Sequence, residues 1–351
     1  MEKKTTYHEQ KDVENILRLR EVLSTLPPFC RDYFRAIDTT TTTKTRISYA
    51  YDIRIFFQFL LDENPAFKDY KMTDFTVDVL DQIKALDLEE YQEYLKVYQA
   101  GDKTETNGER GLKRKISALR SFYAYYYRRE MIETNPTVLI DVPKIHDKSI
   151  IRLDTDEVAL LLDYIEHCGD QLTGQKRVYY EKNKERDLAI VTLLLGTGIR
   201  VSECVGLDIE DVDFKNNGIK VTRKGGNEMV VYFGPEVEKA LKSYLEVREN
   251  IIPLEGHEHA LFYSAQRRRI GVQAIENLVK KYAQQITTTK KITPHKLRST
   301  YGTTLYQETG DIYLVADVLG HKDVNTTKKH YAAIDDARRR QAAKAVKLRE
   351  D

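Results

Sequence analysis

The chain has 351 residues, 41% hydrophobic and 32% charged, with a formal net charge of +1. That length points to two domains and that composition to real cores beneath a wet surface, while the balanced charge means that any polyanion binding must rest on local clusters. Cys30, Cys168 and Cys204 are odd in number and far apart, which argues against a disulfide framework or a zinc ribbon.

No apolar run approaches the ~20 residues of a membrane span, and "MEKKTTYHEQ" lacks an apolar export core, so the expected location is the reducing cytoplasm.

Residues 1–43 open with a helical pattern, "VENILRLREVLSTL", halted by Pro27-Pro28 and followed by "IDTTTTT". Threonines are poor helix interior but good caps, so this segment reads as an N-terminal arm or accessory helix. From Thr45, "TRISYAYDIRIFFQFLLDENP" places Ile47, Tyr51, Ile55 and Phe59 four apart in one buried stripe, stopped at Asn64-Pro65. Helical alternation continues through "TVDVLDQIKALDLEEYQEYLKVYQ". A polar loop, "AGDKTETNGER", precedes a long helix, "GLKRKISALRSFYAYYYRREMIETNP". Residues 44–140 therefore read as an all-helical domain. Lys113, Arg114, Lys115 and Arg120 open its last helix as a solvated face or a phosphate-contacting one. The tyrosines at 123 and 125–127 read as packing rather than as a base-stacking platform.

Residues 141–151 read as a linker, with Pro143 denying helix. In residues 152–351, "LDTDEVALLLDYIEHC" carries a Thr155 cap and helical spacing. "ERDLAIVTLLLGTG" is apolar almost throughout, a buried helix closed by Gly196 and Gly198. "IKVT" and "MVVYF" flank the turn "RKGGNE", a β-hairpin with Lys224 at its tip. Helices are expected at 235–249, 271–285, 294–309 and 311–319, ahead of "GHKDVNTTKKHY" and a basic final helix. The fold class is thus mainly α with a small β-sheet.

Four polar groups stand out. Arg200 and Glu203 in "GTGIRVSE" lie one helical turn apart and, alone, read as a structural ion pair. Lys224 alone reads as a surface turn lysine. His295 and Arg298 share a face behind the helix start Thr293-Pro294. His321 follows the turn glycine Gly320, and Tyr331 comes ten positions later. His321 and His330 lack the nearby ligands a metal site needs, and the isolated "HEH" at 257–259 fares no better, so no metal and no cofactor are expected.

Taken together, these side chains suit a phosphodiester. Arginine forks hold its oxygens and neutralise developing charge. Lysine can protonate a departing 5′-oxygen, histidine can move protons near neutral pH, and a tyrosine hydroxyl among cations can attack phosphorus.

Arg200 in "TGIRVSE", Lys224 in "RKGG", "HKLR" and "LGHKDVNTTKKHY" resemble, in order and spacing, the motif series of the tyrosine recombinases, the phage-integrase and Xer-like family. The resemblance covers roughly residues 44–340, with "ISALRSFYAYYYRREMIETNP…VPK" similar to the family's helical core-binding domain. It implies a C-shaped clamp on DNA and an enzyme that cleaves and rejoins strands through a 3′-phosphotyrosyl link. By the same resemblance Arg200 and Arg298 would clamp the phosphate and Lys224 would be the general acid. His295 would assist proton transfer, His321 would hydrogen-bond the phosphate, Tyr331 would attack, and Glu203 would orient Arg200 or His295.

DNA contacts are expected from Thr45, Arg46, Lys113, Arg114, Lys115, Arg120, Arg223, Arg267, Arg268 and Arg269. The resemblance further implies a homotetramer on double-stranded DNA, with the C-terminal helix donated between protomers. Many members place the tyrosine nine positions after the histidine, where this chain has His330. The alternatives are relaxation of DNA in the manner of a type IB topoisomerase, which the helical domain disfavours, and a non-catalytic DNA-binding regulator.

Overall fold

The structure is a computed structural model describing residues 6–146, 150–223, 226–321 and 323–331, without the side chains at 326 and 329–331. It divides into two units, residues 1–148 and 149–351, with the break inside the expected linker.

In the first unit, helix α1 (Tyr7–Ser24) starts at a capping box in which Thr6 Oγ1 accepts from the Glu9 N–H and Glu9 accepts from the Thr6 N–H at 2.7 Å. Helices α2 (Cys30–Ala36) and α3 (Thr43–Glu63) follow, the latter capped by Thr42 from the threonine run. Next come α4 (Val79–Gln82), α5 (Ala85–Tyr94), an antiparallel hairpin of β1 (Val97–Ala100) and β2 (Lys103–Thr106), and α6 (Glu109–Tyr127).

One core joins them. Leu19 and Val22 of α1 and Tyr33 of α2 are buried with Phe56 and Phe57 of α3 and Phe122 of α6. The rings meet mostly edge to face, as Tyr33 does with Phe122 at 5.2 Å.

Four expectations for this unit need correction. Residues 19–34 are not a separate arm, because Leu19, Val22, Leu26, Cys30, Tyr33 and Phe34 belong to the same core. The expected Ile47 and Phe59 of α3 are buried, but its buried stripe runs through Ala50, Ile53, Phe56, Phe57 and Leu60, leaving Tyr51 and Ile55 half-buried.

The helix expected across 76–99 breaks at Ile83 and Lys84, which are extended, and gives way at Val97 to the β1–β2 hairpin, so this unit is not all-helical. Asp87 caps the Lys84 N–H at 2.7 Å. Asp81 accepts from the backbone N–H groups of Glu133 and Thr134, both at 2.9 Å. Side-chain competition for backbone N–H groups and a tertiary partner here override helical spacing. Finally, α6 stops at Tyr127. Glu130 takes a left-handed φ of 57°, Met131 N–H returns to the Tyr126 carbonyl at 3.1 Å, and Arg128 Nε donates to the Ala124 carbonyl at 2.9 Å.

In the second unit, α7 (Thr155–His167) is capped by Asp154 with Glu157, not by Thr155. Helix α8 (Gly174–Thr197) is buried along its C-terminal half and packs against α7, α10 (Pro235–Arg248) and α12 (Pro294–Thr309). Between α8 and α10 lie α9 (Val201–Gly206) and a three-stranded antiparallel sheet, ordered β3 (Val212–Asp213), β4 (Gly218–Thr222), β5 (Glu228–Tyr232). Helix α11 (Val272–Ile286) packs on α7, and α13 (Ile312–Leu319) and α14 (Val324–Tyr331) finish the described chain. The expected hairpin and helices from 235 to 319 are present within a residue or two of their predicted ends. No described helix is long and apolar enough to cross a membrane.

Candidate active site

The site is built on two left-handed glycines. Gly198 (φ 63°) caps α8 and turns the chain into Arg200, the N-cap residue of α9. A Cβ there would lie 2.3 Å from the Tyr301 ring, so both the backbone angle and the packing require glycine. Glu203, 3% exposed at its side chain, accepts from the Arg200 backbone N–H at 2.8 Å and from Arg200 Nη1 at 2.7 Å. One carboxylate thus caps the helix and aims the guanidinium.

Gly320 (φ 61°) caps α13, with its N–H on the Asp317 carbonyl at 2.8 Å and the His321 N–H on Ala316 at 2.9 Å. Three arginines meet the α13 end. Arg223 Nη2 donates to Val318 O at 2.7 Å, Arg298 Nη2 to Leu319 O, and Arg200 Nη2 to Gly320 O at 3.3 Å. Arg298 also donates to Gly198 O at 2.5 Å and is 4% exposed, so it links both glycine turns. Cations suit the negative end of a helix, and here three successive carbonyls take one guanidinium each.

His321 is oriented by Thr327, fully buried in α14, across 2.7 Å between Nδ1 and Oγ1. His295 lies exposed in the first turn of α12, one turn before Arg298. Arg200, Arg298, Arg223, His321 and Glu203 are therefore gathered around one helix end. Tyr331 closes α14, its side chain outside the described residues, and Lys224 lies outside them altogether. Among the described residues, no three His, Cys, Asp or Glu side chains gather as metal ligands.

Two features carry no signal in the sequence. Thr327 is one of many threonines, and its pairing with His321 follows from how α14 folds back. Arg223 reads in the sequence only as a DNA contact, because backbone carbonyls as partners leave no mark in the residue pattern.

The expected DNA contacts divide. Lys113, Arg267 and Arg268 are exposed, and Arg114 is half-exposed in an ion pair with Asp52. Lys115 corrects its expectation: it is 6% exposed, with Nζ on Asn107 Oδ1 at 2.8 Å. Arg269 is likewise turned inward, onto the Val205 and Leu207 carbonyls at 3.0 and 2.8 Å and onto Asp208. Arg120 holds the carbonyls of Thr137 and Ile140 at 3.0 and 2.6 Å. Arg46 is paired with Asp38, and Thr45 supplies its N–H to the Thr42 cap.

A mainly helical scaffold with a small sheet, carrying clustered arginines beside a histidine and a tyrosine-ended helix, defines the class of enzymes that exchange DNA strands through tyrosine. The profile described as the phage integrase family matches residues 152–338, which span α7 to α14. Tyrosine recombinase XerS of Lactococcus lactis subsp. cremoris is 31% identical over 350 residues, covering 92% of this chain and 96% of that protein. Tyrosine recombinase XerC of Caldanaerobacter subterraneus subsp. tengcongensis is 32% identical over 329 residues, covering 90% and 86%.

Two solved structures share the fold. The XerH site-specific recombinase bound to its difH substrate has a TM-score of 0.60 at 21% identity, covering 86% of this chain and 79% of that one. The Tn1549 transposon integrase in complex with circular intermediate DNA has a TM-score of 0.62 at 21% identity, covering 89% and 98%. This chain belongs to the phage integrase family. It is a site-specific tyrosine recombinase, an enzyme that cleaves and rejoins DNA.

Proposed function

We propose that Tyr331 is the nucleophile, Arg200 and Arg298 hold the scissile phosphate, His321 donates to a non-bridging oxygen, Lys224 is the general acid and His295 relays the tyrosine proton. The tyrosine oxygen bonds phosphorus, the P–O5′ bond breaks, and the 5′-oxygen leaves with a proton from Lys224. The product is a 3′-phosphotyrosyl link, which keeps the energy of a phosphodiester, so a second 5′-hydroxyl reverses the step without a nucleotide cofactor.

As phosphorus becomes five-coordinate, the charge on its non-bridging oxygens grows. Guanidinium groups already fixed on carbonyls and on Glu203 meet that charge without reorganising, which is where such sites gain most of their rate. The observation that carries this reading is the gathering of Arg200, Arg298 and His321 at the end of α13. Supporting contacts to DNA phosphates come from the exposed Lys113, Arg114, Arg267 and Arg268. The enzyme works in the cytoplasm as a DNA-assembled tetramer, with residues after Tyr331, which lie outside the described residues, passed between protomers.

The test is a nicked suicide duplex drawn from DNA flanking the coding gene. Wild-type protein yields a covalent protein–DNA adduct and Tyr331→Phe yields none. An adduct persisting in Tyr331→Phe would overturn the nucleophile assignment.

A further inference from the structure

The hydroxyl of Thr327 is fully buried and does not do what helical hydroxyls elsewhere in this unit do. Thr197 donates back one turn to Leu193 O at 2.5 Å, Thr300 to Lys296 O at 3.0 Å and Thr309 to Leu305 O at 2.7 Å. Thr327 Oγ1 lies instead 2.7 Å from His321 Nδ1, and among the described residues the hydroxyl has no other partner.

That contact can be made in two ways, because a hydroxyl both donates and accepts, and Nδ1 carries either a hydrogen or a lone pair. Were Nδ1–H the donor, the Thr327 hydrogen would be buried with no acceptor, and a buried donor left unpaired is costly. With the hydroxyl as donor to the Nδ1 lone pair, both groups are satisfied. The hydrogen of the neutral ring then sits on Nε2, since the bond made by one ring nitrogen decides the state of the other.

We propose that Thr327 is a positioning residue that fixes the tautomer of His321: its hydroxyl donates to Nδ1, places the ring hydrogen on Nε2, and so makes His321 a donor to the scissile phosphate. The inference rests on the reading of His321 as the group that donates to a non-bridging oxygen. The opposite tautomer would present a lone pair to that oxygen and repel it as its charge grows. His321 keeps its hydrogen throughout, so no bond on this ring breaks.

The residue is held through backbone and side chain together. Its N–H is on Ala316 O at 2.9 Å, directly after the left-handed Gly320, and its ring is on Thr327. A donor fixed in advance meets the developing charge without reorganising.

Full-length wild type, Thr327→Val, Thr327→Ser, His321→Ala and the double variant Thr327→Val/His321→Ala are compared. The first readout is the nitrogen–proton spectrum of protein carrying 15N-histidine at about pH 8, where an ordinary imidazole is neutral. The His321 signals are those missing from His321→Ala. Wild type and Thr327→Ser are expected to show hydrogen on Nε2 alone, and Thr327→Val a share of the Nδ1–H form. The second readout is single-turnover cleavage of a nicked duplex that forms the wild-type adduct. Thr327→Val is expected to be slowed about 10- to 100-fold, less than the loss of a whole donor, and Thr327→Ser to stay within about threefold of wild type. In the His321→Ala background the same valine is expected to cost no more than about twofold, because the ring it orients is gone.

Hydrogen on Nδ1 of wild type, in either charge state, overturns the tautomer assignment. An Nε2–H ring that persists unchanged in Thr327→Val, or a valine penalty equal in both backgrounds, leaves Thr327 a packing residue and overturns its positioning role alone. His321→Ala cleaving at the wild-type rate overturns the reading of His321 and this inference with it. Should Thr327→Val melt before assay, the wild-type spectrum and the rate of Thr327→Ser still decide between these outcomes.

Discussion

Both units bury charge, but the cluster at Asp52 and the arginines at the α13 end do so with opposite designs. In the N-terminal unit Asp52, 2% exposed, sits beneath the aromatic core with Arg114 paired to it and Lys115 Nζ 4.0 Å away. The C-terminal unit has a buried pair of its own, Arg186 with Asp187 at 2.6 Å, but at the α13 end its guanidinium groups rest on carbonyls, with Glu203 as the carboxylate beside Arg200. A carboxylate buried under its own cations can only support or strain its own fold. Arg298, held by backbone carbonyls, retains its full charge, and on the proposed reading that charge meets an anion arriving at the site. Buried polarity is therefore structural at Asp52 and, on the proposed reading, catalytic at the α13 end.

The strongest way to break that contrast is Arg298→Lys, which keeps the charge but cannot reach both Gly198 O and Leu319 O with a fork. Cleavage is expected to fall about 100- to 1,000-fold, with duplex affinity little changed. A fall in affinity that accounts for the whole loss of rate, measured by single-turnover kinetics against filter binding, would refute the catalytic use of this arginine.

Asp52→Asn tests the structural side. Burial raises the Asp52 pKa from 3.8 to about 6, against the lowering pull of Arg114 and Lys115. Between those values the folded chain holds a proton that the unfolded chain has released. The Asp52 contribution is therefore most favourable near pH 4, weakens as pH rises toward 6, and levels off above it. Between pH 4.5 and 7.5 wild type should lose about 2 kcal/mol that Asp52→Asn does not, as read from paired denaturant titrations. The cleavage rate of folded Asp52→Asn should match wild type.

The smallest effect is expected at Lys113, exposed on α6 one residue before Arg114. Lys113→Gln should reduce the slope of log affinity against log salt by about 0.9 without changing which sequence is cut. An unchanged slope would remove Lys113 from the DNA contacts.

The same division explains how much is legible in the sequence. Where an element is specified by its own caps and spacing, the sequence is enough: Pro294 opens α12, Gly310 closes it, and the expected 294–309 is what forms. Arg200, Glu203, Arg298 and His321 stand out by residue type and order, and the fold brings them around one helix end. Elements decided by distant partners are not legible. The break at Ile83 depends on Asp81 capturing Glu133 and Thr134, some fifty positions away. Lys115 and Arg269 look like surface cations in one dimension, and only the folded chain shows the Asn107 amide and the carbonyls that receive them.

The three arginines on α13 grip main-chain oxygens at positions 318, 319 and 320. A carbonyl is supplied by every amino acid, so the identities of Val318 and Leu319 are free to drift as far as packing allows while the grip is kept. Position 320 has less latitude, because a side chain there would need both a left-handed φ of 61° and a displaced Arg223 guanidinium. Libraries built to retarget this recombinase can therefore diversify the exposed face of α13 while holding a single glycine constant, and a revertant of a substitution at 320 should be sought first at 223.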